Sequence, residues 1–127
     1  RKTSNSPSQI FLTFDLAGHN AAAPMPAPVE SWVPVDSLGF VPFEHYADPV
    51  WDTVRMNNIL QHFATAYLGK YLHDDPVMDR YLTLIPVAAE GVHSVNDAGQ
   101  PQEDHTYWTG FEEGTALGLR FETLTAE

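Results

Sequence analysis

Six prolines, at positions 24, 26, 28, 34, 42 and 49, constrain this chain more than any other feature of its 127 residues. Each fixes φ near −65° and removes a backbone donor, so the stretch 20–49 cannot form a regular helix and is excluded from the centre of a sheet. The same stretch is rich in apolar residues: Trp32, Val33, Val35, Leu38, Phe40, Val41 and Phe43. That pairing predicts an extended, ordered loop pinned by buried aromatics rather than a flexible linker. Ordered loops of this length are commonly functional. Two placements fit it equally: the wall of a pocket beside His19, or a stiff strap across a sheet.

Regular structure must therefore lie to either side. Upstream, Ile10, Phe11, Leu12 and Phe14 form a short, nearly continuous apolar run of high β-propensity, as expected of a strand covered on both faces. It runs into Leu16-Ala17-Gly18-His19-Asn20, where Gly18 permits a sharp turn and His19 is presented at the strand's carboxyl tip. Open α/β sheets place reactive groups there. A Gly-His pair alone is more often a structural histidine ending an ordinary loop. Asn20 and the small Ala21-Ala22-Ala23 run read as residues for close packing, not chemistry. Residues 1–8 are polar, Ser-rich and aperiodic, a frayed terminus or linker, and the opening Arg1 is read as an internal point of a longer product.

Downstream, Asp48-Pro49 reads as the N-cap and first residue of a long helix, with Asp52 in its first turn. Met56, Ile59, Leu60, Phe63, Tyr67 and Tyr71 recur at three- and four-residue spacing, the mark of a helix with one buried face. Lys70 and His73 suit its last turn. Asp74-Asp75-Pro76 ends it and caps a second, shorter helix to about Leu84. Residues 88–104 are turn-forming, with a short strand expected over 92–95 before the Asn96-Asp97-Ala98-Gly99 turn. Leu117, Leu119 and Phe121 alternate with Gly118, Arg120 and Glu122, the period of a strand with one wet face. That strand is expected to hairpin back on 107–111 around Glu112-Glu113-Gly114.

Composition excludes several classes of function. A net charge of −11 opposes binding to phosphate backbones and to anionic membranes. With no cysteine there is no disulfide framework, thiolate nucleophile or Cys-based zinc site. No apolar run is long enough to span a bilayer, and no signal-peptide pattern is present. Three Trp and seven Phe suffice for a packed core. The length fits one small domain or part of a larger one.

Beyond these patterns, the wording A-G-H-N-A-A-A-P-M-P-A-P-V-E-S-W, then F-V-P-F-E-H-Y-A-D-P-V-W-D-T-V-R-M-N-N-I-L-Q-H-F-A-T-A-Y-L, resembles the C-terminal portion of bacterial predicted dienelactone hydrolases. The likeness continues through Asp104-His105-Thr106-Tyr107-Trp108 to Gly118-Leu119-Arg120-Phe121-Glu122, covering nearly everything after Gln9. The resemblance implies an α/β fold. Residues 9–127 would form the C-terminal part of an α/β-hydrolase domain: last core strand, catalytic-histidine loop, long packing helix, short helix and β extension. It makes His19 the catalytic base of a Ser-Asp-His triad and implies hydrolysis of an ester or lactone without metal or organic cofactor.

No serine of the chain stands in Gly-x-Ser-x-Gly, and no strand end upstream of His19 offers a triad aspartate. The resemblance therefore implies that nucleophile and orienting acid lie on an N-terminal part of the same hydrolase, the expected partner. The competing reading is a non-catalytic domain offering its Pro- and Trp-rich loop as a binding surface. Other chemistry is weaker. Glu44-His45-Tyr46 with Asp48 matches no closed metal-ligand spacing. Asp97, Glu103 and Asp104 lack the calcium-loop rhythm. His62 reads as a boundary residue of the long helix, and Met56, Phe63 and Tyr67 as core. There is no phosphate loop.

Overall fold

A computed structural model describes residues 8–18 and 28–125. Its elements are β1 (Ser8–Phe14), a 3-10 turn at Val29–Trp32, α1 (Pro42–Tyr46), α2 (Thr53–Leu72), a 3-10 turn at Pro76–Met78, α3 (Asp79–Leu82), a 3-10 turn at Ala88–Glu90, and β2 (Leu119–Thr125). Helices and strands are thus mixed. They fall into two compact units: β1 with the chain from Asp75 onward, and Leu16–Asp74.

In the first unit β1 pairs antiparallel with β2, the ladder running from Ser8 opposite Thr125 to Phe14 opposite Leu119. Opposed residues share a face, so Leu12 and Phe14 lie on the side of Phe121 and Leu119, while Thr13 lies beside Arg120. Leu119 and Phe121 are buried and Arg120 is exposed. The expected alternation of this last strand is therefore present from Leu119 on, although Leu117 precedes it and is exposed. Two expectations are corrected. The last strand does not hairpin on 107–111 but reaches back to β1, the start of the described chain. Nor is β1 covered on both faces: its residues are all half-buried, and the sheet has two strands among the described residues. An apolar run reports the wish for burial, not which strand supplies it.

The outer side of β2 is met by the segment before Ala88. Phe121 donates its amide to the Pro86 carbonyl at 2.8 Å, and Val87 bridges Arg120. Trp108 (1% exposed) packs edge-on to Phe121 and Phe111, and with Tyr107, Leu82, Ala88 and Ala116 belongs to the buried set of this unit. Residues expected as a strand at 92–95 form a single bridge, Val95 to Pro101. Asn96 organises that turn, its Oδ1 accepting the amides of Ala98 and Gln100.

In the second unit α2 begins later than Asp48-Pro49 predicts. Asp52 is the N-cap, its Oδ1 accepting the Arg55 amide at 2.7 Å. Met56, Ile59, Phe63 and Ala66 are buried at helical spacing, as expected of three of them. The predicted stripe is narrower in fact. Leu60 is at the margin, and Tyr67 and Tyr71 stand 38% and 43% exposed, their rings 4.6 Å apart with the Lys70 ammonium over Tyr71. Past His73 the chain turns through Asp74 (φ 52°), and Asp75 caps the next turn by accepting the Val77 amide, so the second helix expected from Asp74-Asp75-Pro76 is present as a 3-10 turn leading into the single turn of α3. No helix among the described residues is long and apolar enough to cross a membrane.

Candidate functional site

The residue singled out by the sequence, His19, lies outside the described residues, as do Asn20 and Ala21-Ala22-Ala23. The chain leading to it is described, and its path is specific. At the end of β1, Asp15 donates its amide to the Gly118 carbonyl at 2.8 Å and accepts from Arg120 Nε at 2.9 Å. Leu16 then takes φ +62°, a left-handed conformation that L-residues adopt rarely because Cβ crowds the backbone. Two residues on, the Gly18 amide donates to Asp48 Oδ2 at 2.6 Å. Within the second unit, Gly18 is thus held to Asp48 immediately before position 19.

Asp48 has a double task. Its Oδ1 accepts the amides of Val50 (2.9 Å) and Trp51 (2.8 Å), closing an Asx-type turn around Pro49. This leaves Oδ2 for Gly18. The Trp51 bond does most to hold the Asp48 carboxyl below its ordinary value; partial desolvation opposes it, and the Gly18 and Val50 amides add to it. Asp48 is therefore an anionic bracket rather than the helix cap that sequence predicts. Asp-Pro followed by two amide-bearing residues is the local signal for either role. What it lacks is any mark of the partner 30 positions away.

The Pro-rich stretch is described from residue 28. Ser31 closes its first turn on the Pro28 carbonyl, Val35 bridges Phe40, and the Trp32 and Phe43 rings stack at 3.6 Å. The aromatics expected to pin the loop by burial are not buried: Trp32 is 55% exposed. Pro42 also opens the short helix α1, which an N-terminal proline permits. An open depression of about 460 Å³ is lined by Pro34, Val35, Phe40 and Val41 together with Asp36, Gly39 and Glu44.

The remaining candidates separate. Glu44 is exposed and the His45 ring leans over Phe40 at 4.0 Å, so neither converges with Asp48 on one point. Asp97, Glu103 and Asp104 are exposed. Among the described residues no three His, Asp or Glu side chains are grouped so as to hold a metal ion. His62 is half-buried on α2 with its ring edge-on to Phe63, and burial lowers its pKa. One grouping escapes a linear reading: the His93 ring lies 5.3 Å from that of His105 and 5.7 Å from that of Tyr107, with Glu113 Oε2 3.7 Å from His93 Nδ1. His105 Nδ1 is itself taken up by the Ser94 backbone, 2.9 Å from the carbonyl and 3.1 Å from the amide, and so serves the turn. No protein family, curated protein or solved structure matches the chain.

Proposed function

We propose that this chain is the base-donating part of a serine hydrolase acting on esters or lactones, with an α/β-hydrolase fold completed by an N-terminal part that carries the nucleophile. The observation that supports this reading most directly is the strand exit. Two positions past the end of β1 the chain takes a left-handed residue, Leu16, and the amide next to position 19 donates to the Asp48 carboxylate. A histidine that must meet a serine on another segment needs such a mounting, because misplacement of the base by about 1 Å costs on the order of 100-fold in rate. The resemblance to predicted dienelactone hydrolases supplies the role of His19.

In that role the His19 imidazole accepts the proton of the serine hydroxyl as its oxygen adds to the ester carbonyl. It then returns the proton to the departing alkoxide as the tetrahedral intermediate collapses to an acyl-enzyme. A second cycle, with water in place of the serine, releases the acid. This requires the neutral form of His19 at the start of each half-reaction.

The test is ester turnover by the complete native protein together with labelling by a fluorophosphonate. His19→Ala is expected to abolish turnover while leaving the protein folded; undiminished turnover removes His19 from the mechanism. A second reading, binding of an apolar segment without chemistry, is favoured by two separate features of the Pro-rich stretch, its open depression and its exposed Trp32 stacked on Phe43. An inert protein that ignores the fluorophosphonate supports that alternative.

A further inference from the structure

Resting on the second reading above, that of a binding surface, we propose that the depression over residues 34–44 docks a polypeptide segment carrying a lysine or arginine between apolar residues.

The depression is built by short-range contacts. The Val35 amide donates to the Phe40 carbonyl at 3.3 Å, and the Val35 carbonyl accepts the Leu38 and Gly39 amides, each at 2.9 Å, so residues 35–40 close a turn. Gly39 completes it at φ 74°, a conformation that glycine adopts without cost. Pro42 then opens α1, with Glu44 in its first turn. Asp36 from the turn and Glu44 from the helix thereby line one open depression of about 460 Å³, whose apolar part is Pro34, Val35, Phe40 and Val41.

The charge on this lining has one sign. Asp36 and Glu44 are exposed, and among the described residues neither has a cationic partner. The chain has few cations to lend, with 6 Lys and Arg against 17 Asp and Glu. A basic side chain satisfies both parts of the lining: its methylene stem lies along the apolar part while its charged head meets the carboxylates. A free amine gains little here, because an open depression does not bury most of a small ligand. A polypeptide adds contacts beyond the depression, and the same stretch offers apolar residues for them, Val33 at 58% exposed and Leu38 at 54%. Their presence calls for apolar neighbours on either side of the basic residue.

The experiment is fluorescence anisotropy of labelled peptides with the complete native protein. The probe is Ala-Val-Leu-Lys-Leu-Val-Ala, compared with the same peptide carrying norleucine in place of lysine. The lysine peptide is expected to bind about 3- to 10-fold more tightly, and added salt should shrink the difference. Asp36→Asn combined with Glu44→Gln should abolish the difference. Glu103→Gln combined with Asp104→Asn, at exposed acids of the other unit, should leave it unchanged. Should the first double variant not fold, Asp36→Asn alone decides by the same comparison: a reduced preference supports the proposal, and an intact one overturns it. Equal binding of the two peptides overturns the proposal and leaves the reading of an apolar docking surface standing. Binding of neither peptide removes both. A lysine preference that survives in the Asp36, Glu44 variant, or falls equally in the Glu103, Asp104 variant, belongs to the net charge and overturns the proposal. Displacement of the probe by n-butylammonium at the concentration of the peptide itself would make the ligand a small amine and overturn the assignment to a polypeptide.

Discussion

The indole Nε1 of Trp108 donates a 2.9 Å hydrogen bond to the carbonyl of Ile85, joining two segments 23 positions apart while the ring itself is 1% exposed. The contact anchors the strap that runs along β2, since the next residue, Pro86, accepts the Phe121 amide. Trp108→Phe retains much of the apolar volume but leaves the Ile85 carbonyl without its donor, at an expected cost of about 1–3 kcal/mol. Trp108→Ala adds a cavity and is expected to cost about 3–5 kcal/mol. Urea unfolding followed by fluorescence of the remaining tryptophans separates the two; equal losses would show that volume alone matters.

Tyr107 makes the complementary arrangement one position earlier. Its hydroxyl accepts the amide of the fully buried Ala116 at 3.0 Å, which fixes the turn feeding β2. Tyr107→Phe removes only an oxygen, yet strands a buried backbone donor, so a loss of about 1–3 kcal/mol is expected in the same unfolding assay. The Ala116 amide should lose protection in hydrogen exchange by a matching factor. Unchanged exchange would mean that water replaces the hydroxyl.

How much of this was legible in the sequence depends on the range of the interaction involved. The buried face of α2 was readable at Met56, Ile59 and Phe63, because helical periodicity is local. The pairing of β1 with β2 was not, because a strand's alternation says which face is wet but nothing about its neighbour across more than a hundred residues. For the same reason Asp48 was recognisable as a residue that would accept amides, while its hold on Gly18 was not. The Pro-rich loop is an intermediate case. Its prolines did not exclude a helix, since Pro42 opens the single turn and a half of α1, and apolar content did not translate into burial, as Trp32 shows. At the candidate site His19 is named from the sequence and lies outside the described residues, while the Gly18–Asp48 hydrogen bond was legible only in the structure.

His62 makes stability depend on pH in a defined direction. Burial lowers its pKa from the ordinary 6.5, so the unfolded chain takes up this proton before the folded one does. Folding is therefore unhindered by His62 above about pH 7 and is progressively disfavoured as pH falls through 6.5 toward its lowered value. Asp48 acts in a separate window: its carboxyl, held below 3.8, contributes stability that persists until pH falls through that lower value. Thermal unfolding midpoints are expected to decline between pH 7 and 5 in the wild type. His62→Gln should flatten that decline and leave the behaviour below pH 4 unaltered. A decline of the same steepness in the variant would assign it to other groups.

Asp52 and Asp48, four positions apart, accept backbone amides with different consequences. Asp52 satisfies the Arg55 amide, one of the otherwise unpartnered donors at the start of α2, and its charge complements the positive end of the helix. Asp52→Ala is therefore expected to lower stability by about 0.5–2 kcal/mol, and Asp52→Ser or Asp52→Asn to recover most of it, since either can still cap. Asp48→Asn should leave the start of α2 intact, because the helix is capped elsewhere. Circular dichroism with hydrogen exchange at the Arg55 amide distinguishes the two positions. Loss of Arg55 protection in the Asp52 variant alone is the expected result, and loss in the Asp48 variant would restore Asp48 as the cap that its sequence first suggested.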